Sequence, residues 1–184
     1  MTRRKPTCVS LFAGCGGSSL GYERAGFRVV GACEWDKWAA ESHRRNHPRT
    51  PMVERDVREV SADELMGRET RLDLLDGSPP CQGFSTSGFQ HLDDERNTLW
   101  AQWRRLAREL EPRAIVFENV TGLLNKRMRP VFDAMWIALE ADGWHLSAGI
   151  LAANQFGLPQ IRRRVFVLGM RDAPPGLPEA GRPA

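Results

Sequence analysis

Short apolar runs alternate with helix-patterned segments along almost the whole chain, and few architectures accept that order. Residues 8–12, 27–33, 51–53, 72–75, 114–117, 145–151 and 165–170 read as strands. Residues 18–25, 37–46, 61–67, 98–110 and 130–141 read as helices. Local signals mark several ends. The second helix stops ahead of Pro48, which disfavours helix in the residue before it. Ser61 followed three residues later by Glu64 fits a capping box. Pro130 suits a first helical turn and Gly143 a position just past the last one. Strands that alternate with helices imply an α/β fold, a mostly parallel sheet with helices on both faces. The last two strands have no helix between them and only a short connection, which implies an antiparallel edge hairpin.

With 184 residues the chain has room for one domain with a sizeable core and not for two ordinary ones. We assign residues 1–172 to that domain. Residues 173–184 carry four prolines and two glycines and read as a linker or disordered tail. No apolar run approaches the ~18 residues of a membrane span. The basic start, Met1 to Pro6, leads into glycines rather than a signal-peptide core, so no membrane partner is expected. The four cysteines, Cys8, Cys15, Cys33 and Cys81, form no CxxC pair, so neither a zinc site nor a redox dithiol is expected. Reduced thiols and a cytoplasmic setting follow. The net charge of +3 permits a polyanionic partner, and Arg162-Arg163-Arg164 is a local hint of one.

In open α/β sheets ligands bind outside the carboxyl ends of the strands. The unusual residues of this chain fall there five times. The first strand leads into Phe12-Ala13-Gly14-Cys15-Gly16-Gly17, a turn whose glycines allow sharp bending and close approach to a ligand. It is not GxGxxG, because Ser19 stands at the last glycine position. The second strand leads to Glu34, able to accept from two ribose hydroxyls, and to Trp35, able to stack on an adenine or to cover the core. The third leads to Asp56 and Val57, where the acid either accepts from an adenine amino group or caps a helix. Together these describe an adenosine pocket without distinguishing one adenosine cofactor from another. The fourth strand leads to Ser78-Pro79-Pro80-Cys81, two prolines stiffening the chain just ahead of a thiol. The fifth leads to Glu118-Asn119.

The segment Gly77-Ser78-Pro79-Pro80-Cys81-Gln82-Gly83-Phe84-Ser85 resembles the nucleophile loop of DNA cytosine-5 methyltransferases. Leu11-Phe12-Ala13-Gly14-x-Gly16-Gly17 is similar to that family's glycine turn, Glu118-Asn119-Val120 to its ENV motif, and Gln160-Ile161-Arg162-Arg163-Arg164 to its QxRxR motif. Order and spacing agree from about residue 7 to 170. The resemblance implies a Rossmann-like fold dependent on S-adenosyl-L-methionine (AdoMet), with a seven-stranded sheet and double-stranded DNA as partner. It makes Cys81 the nucleophile, Glu118 the contact to the cytosine ring from a buried site, and Arg164 the contact to its O2. Arg162 would touch the nucleophile loop or the DNA backbone, and Asn119 would order that loop. Extended-strand alternation places 162 and 164 on one face and Arg163 on the other. Phe12, Ala13, Gly14, Gly16, Gly17, Glu34, Trp35, Asp56, Val57, Ser78, Pro80 and Leu99 would line the cofactor site. Gln82, Ser85 and Gln160 would contact substrate. The target base would be flipped out of the duplex, with the polar stretch 83–97 closing over it.

The chain departs from the family in three ways, one of them Cys15 in place of a more usual small or aliphatic residue. Ser10 stands where an acid often precedes the glycine turn. Family members also continue past the QxRxR strand with a target-recognition region and a final helix that returns beside the first one. A shortened chain, a split enzyme whose second polypeptide supplies those parts, and a degenerate fragment each account for this. Two other functions stay open. A tRNA cytosine-5 methyltransferase shares these motifs, although Gly83-Phe84-Ser85 is more like the DNA group. A non-catalytic AdoMet-binding fragment is the third reading.

Overall fold

The computed structural model describes residues 4–80 and 99–181. Seven strands form one sheet: β1 (Thr7–Leu11), β2 (Arg28–Glu34), β3 (Met52–Glu54), β4 (Leu74–Gly77), β5 (Ala114–Val120), β6 (His145–Ala152) and β7 (Arg163–Met170). Their order across the sheet is β3-β2-β1-β4-β5-β7-β6. The first five in that order are mutually parallel, while β7 runs antiparallel to β5 and to β6. The mostly parallel sheet with an antiparallel edge is therefore present. Both strands reach further than expected, so the connection between β6 and β7 spans residues 153–162 and includes a 3-10 turn, Ala153–Phe156.

Among the described residues there are five α-helices: α1 (Gly17–Arg24), α2 (Lys37–Asn46), α3 (Ala62–Met66), α4 (Leu99–Leu110) and α5 (Arg129–Ala141). The larger core joins Val9, Leu11, Leu75, Ile115 and Phe117 on one face of the sheet to Trp103, Leu106, Met135 and Leu139 of α4 and α5. A smaller core on the other face joins Cys8, Val29 and Leu74 to Tyr22 of α1 and to Phe27. Successive strand residues point to opposite faces, so the two cores divide the sheet's side chains between them. Trp103 is fully buried and meets the Phe117 ring edge-on at 5.5 Å. A Cβ on Gly77 would lie 2.4 Å from the Trp103 ring, so α4 sits this close to β4 only because residue 77 is glycine.

The capping box expected at Ser61 is formed, with Glu64 answering Ser61. The 3-10 turn Val57–Glu59 and its Asp56 cap have no periodic signature in sequence. Residues 173–181 contain no helix or strand, but they follow the sheet rather than leaving it. Leu177 lies against Gly149 of β6, and the Gly181 N–H reaches the Gln155 carbonyl.

Candidate active site

From β1 the chain goes outward to β2 and β3; from β4 it goes the other way, to β5. The crevice between the ends of β1 and β4 is thus the switch point where open α/β sheets bind ligands. The glycine turn leaves β1 at this point and Pro79-Pro80 leaves β4. Past Leu11 the backbone turns with positive φ at Phe12 (55°), Gly14 (54°) and Gly16 (96°). An added Cβ on Gly14 or Gly17 would meet nothing within 4 Å, so no described protein atom fills the space above the turn. The Ala13 N–H donates to the Cys33 carbonyl and ties the turn to β2.

Glu34 is 9% exposed at the end of β2. Its Oε2 accepts from the Gly14 N–H at 2.9 Å, and its Oε1 accepts from the N–H groups of Trp35 and Asp36 at 3.0 Å each. A carboxylate offers about four acceptor positions, so three backbone amides already occupy most of them. The reading of Glu34 as a ribose acceptor omitted this task of holding the glycine turn to β2. Trp35 beside it is 75% exposed rather than covering the core. Asp56 caps the 3-10 turn Val57–Glu59. It accepts from the Arg58 N–H and pairs with the Arg58 guanidinium at 2.6 Å, which holds its carboxyl below the usual carboxylate range. The Val57 side chain is buried in the core, and the carbonyls of Val57 and Val60 both accept from Arg105 Nη2 of α4. Leu99 is half-buried at the start of the same helix.

Ser78 is half-buried, Pro79 buried and Pro80 exposed. Asn119, 5% exposed, donates from Nδ2 to the Pro79 carbonyl at 3.0 Å and accepts from the Val120 N–H. Cys81, Gln82 and Ser85 lie outside the described residues, as does the polar stretch through residue 97. Glu118 is half-buried rather than fully enclosed. Its Oε1 faces Arg164 Nε at 3.1 Å and Arg162 Nη2 at 3.4 Å. Arg162 and Arg164 therefore act on one side, as strand alternation requires, although β7 itself begins at Arg163. Arg163 is exposed, as is Gln160, whose carbonyl accepts from the Arg162 N–H.

Sequence reading missed Asp76, the fully buried acid of β4. It accepts from Tyr22 Oη at 2.9 Å and Ser10 Oγ at 3.2 Å, and burial pushes it up to about 7. The only sequence signal was an acid inside an apolar strand. Ser10 thus stands beside an acid on the neighbouring strand. It also missed His43 and His47 of the α2 end, which lie under the glycine turn. Burial pushes the Cys33 thiol up to about 12 and Cys8 higher still, so neither is a nucleophile. Among the described residues no cluster of His, Cys, Asp or Glu is placed to hold a metal ion, and no helix is long and apolar enough to cross a membrane. A cleft of about 490 Å³ bordered by Lys5, Arg28, Arg49 and Arg68 contains none of the predicted site residues.

The model of the C-5 cytosine-specific DNA methylase family matches residues 6–177. Type II methyltransferase M.XorII of Xanthomonas oryzae pv. oryzae is 39% identical over 97% of this chain, which spans 42% of that protein. M.AquIA of Picosynechococcus sp. is 34% identical over 89% of this chain and 71% of its own length. The crystal structure of a DNA modification methyltransferase encoded within an E. coli prophage superposes with a TM-score of 0.76 at 34% identity, over 90% of this chain and 46% of that one. Spodoptera frugiperda DNMT2 shares the fold, with a TM-score of 0.74 at 22% identity over 97% of this chain and 57% of its own. The chain spans less than half the length of M.XorII and of the prophage enzyme. On a match covering nearly all of its residues, the chain belongs to the C-5 cytosine-specific DNA methylase family.

Proposed function

We propose that this chain is a catalytic core that transfers a methyl group from AdoMet to C5 of a flipped-out cytosine in double-stranded DNA. The supporting observation is the pairing of two strand ends. On β5, Glu118 faces two guanidiniums and Asn119 grips Pro79, two residues ahead of Cys81. The residues around the glycine turn fit a bound adenosine cofactor: open space lies over Gly14 and Gly17, and Trp35 offers an exposed ring beside Glu34. AdoMet, when bound, supplies the methyl group.

The chain's own residues make C5 nucleophilic. Cytosine C5 is unreactive until a thiolate adds at C6. The Cys81 sulfur forms the S–C6 bond, and the C5–C6 π electrons move toward C5. Glu118 contacts N3 and the exocyclic amine, where charge shifts during that addition. Its Oε1 faces the arginines. Arg164 contacts O2. Once C5 carries the methyl group, its proton leaves to a base, the C6–S bond breaks, and aromaticity returns. Asn119 acts on the nucleophile through Pro79 and is a positioning residue.

A further polypeptide segment, in this chain's gene or in a partner's, supplies groove contacts that specify sequence. On the sheet face opposite the larger core, Phe166, Leu168 and Met170 of β7 are half-exposed, a surface suited to such a segment. The homologues named as Type II methyltransferases suggest a setting beside a restriction enzyme in a bacterial cytoplasm.

The test is transfer of labelled methyl from AdoMet to DNA, with that segment present. Cys81→Ser should abolish transfer while leaving AdoMet binding intact; transfer within ~10-fold of the parent would refute the assignment. DNA carrying 5-fluorocytosine should trap a covalent adduct at Cys81, because fluorine cannot leave as a proton does. Methylation of tRNA in place of DNA would overturn the substrate.

A further inference from the structure

We propose that His47, just past the end of α2, is a positioning residue for the cofactor turn: as an imidazolium it clamps Gly16 from below and sets the turn's hold on AdoMet. The inference rests on the reading of residues 12–17 as the AdoMet site. His47 Nε2 lies 2.9 Å from the Gly16 carbonyl oxygen, and Nδ1 lies 3.2 Å from Glu23 Oε2 of α1. A carbonyl and a carboxylate only accept hydrogen bonds. Both ring nitrogens must therefore donate, and an imidazole carries two N–H groups only when protonated. Loss of either proton breaks one of the two contacts.

The clamp explains the second glycine of the turn. A Cβ on Gly16 would lie 2.4 Å from the His47 ring, whereas one on Gly14 or Gly17 would meet nothing. Gly14 and Gly17 thus keep space open toward the ligand, and Gly16 makes room for the histidine. The preceding carbonyl is held from the same side, since Asn46 Nδ2 donates to the Cys15 oxygen at 2.9 Å. In a trans peptide the N–H points opposite to the C=O. The Gly16 carbonyl also accepts from the Leu20 N–H, so His47 adds a second hold on an oxygen whose peptide turns the Gly17 N–H, the first of α1, toward the open side.

The groups around His47 agree on where the charge sits. Its ring lies 4.7 Å from that of His43 at a tilt of 41°, and His43 Nε2 meets Ser19 Oγ at 3.0 Å. Burial, and then the neighbouring His47, push His43 down to about 4, so His43 is neutral. Glu23 is the acid facing His47. Arg44, next to His43, and Arg49, bordering one cleft with Glu23, are the nearby cations.

The experiment measures the AdoMet dissociation constant by calorimetry on the full chain from about pH 6 to about pH 9, across the range where a histidine proton is lost. His47→Gln, which can donate to Gly16 but carries no charge, is measured alongside. We expect affinity of the unsubstituted chain to weaken roughly tenfold as pH rises, and His47→Gln to bind weakly with that component of the pH dependence gone. Nitrogen-15 spectra of the unsubstituted, ligand-free chain should show both His47 ring nitrogens protonated at the lower pH, a readout that does not depend on any variant folding. A bare ring nitrogen there, or AdoMet binding whose pH dependence is the same in both chains, overturns the inference alone. No AdoMet binding by the unsubstituted chain at any pH overturns the cofactor reading and the inference with it.

Discussion

At the residue scale, Glu34 and Asp76 each carry a consequence that measurement can reach. Glu34 holds three backbone amides at once, so its replacement should disturb both the turn and the ligand. Glu34→Ala is expected to raise the AdoMet dissociation constant by one to two decades, from the roughly 1.5–3 kcal/mol of a charged hydrogen bond, and to lower the melting temperature of the ligand-free chain. Calorimetry that finds affinity unchanged would move the cofactor away from β2. Asp76 and His43 act on stability in opposite senses. Asp76 is raised from 3.8 to about 7, so its contribution is complete below the unfolded value and is lost as pH rises toward 7. His43 is lowered from 6.5 to about 4, so its contribution is present above 6.5 and is lost as pH falls toward 4. Between about 4 and 6.5 the two slopes oppose each other. Asp76→Asn should unmask a stability that rises with pH in that window, and His43→Gln one that falls. Denaturant titrations across pH check both signs, and parallel slopes in the two variants would sink the account.

At the element scale, the active rim depends on what lies behind each strand end. β5 delivers Glu118 to the half-exposed face and Asn119 to the buried one, because neighbouring strand residues alternate. Asn119→Ala leaves the buried Pro79 carbonyl without its donor. It should cost about 1–3 kcal/mol of stability and slow methyl transfer more than it weakens AdoMet binding. Equal effects on the two would mean that Asn119 supports the whole rim rather than the nucleophile segment. β4 and α4 are matched in the same way at Gly77. A methyl group there collides with Trp103, so Gly77→Ala should destabilise the fold by roughly 1–3 kcal/mol, as overpacking does, and thermal unfolding will show it.

For the whole molecule, the basic residues of the β7 start set the expectation for DNA. Phosphate contacts carry no sequence information, and Arg163 is the exposed arginine of the three that does not face Glu118, so these 184 residues alone should bind duplexes nonspecifically, with an affinity that falls steeply as salt rises. Fluorescence anisotropy against a salt series measures that slope. Adding the polypeptide that carries the recognition region should raise methylation and make it sequence-dependent. Full, site-specific methylation without it would show that the groove contacts are already present here.

The sequence by itself determined the layers, the strand-and-helix alternation and the rim on which the motifs fall. Those features depend on local periodicity, on turn residues and on short motifs whose spacing survives folding. It did not show the bond from the Gly14 N–H to Glu34, the Tyr22–Asp76–Ser10 cluster, or the contacts of His43 with Ser19 and of His47 with Gly16. Each of these joins residues 20 to 66 positions apart, brought within 2.9 to 3.2 Å by the fold. Pairing across strands is decided by which strands become neighbours, and placing β4 beside β1 is a tertiary outcome. For the same reason a glycine motif shows that a turn exists, while only the packed molecule shows that Gly14 and Gly17 leave space and Gly16 yields it to a histidine.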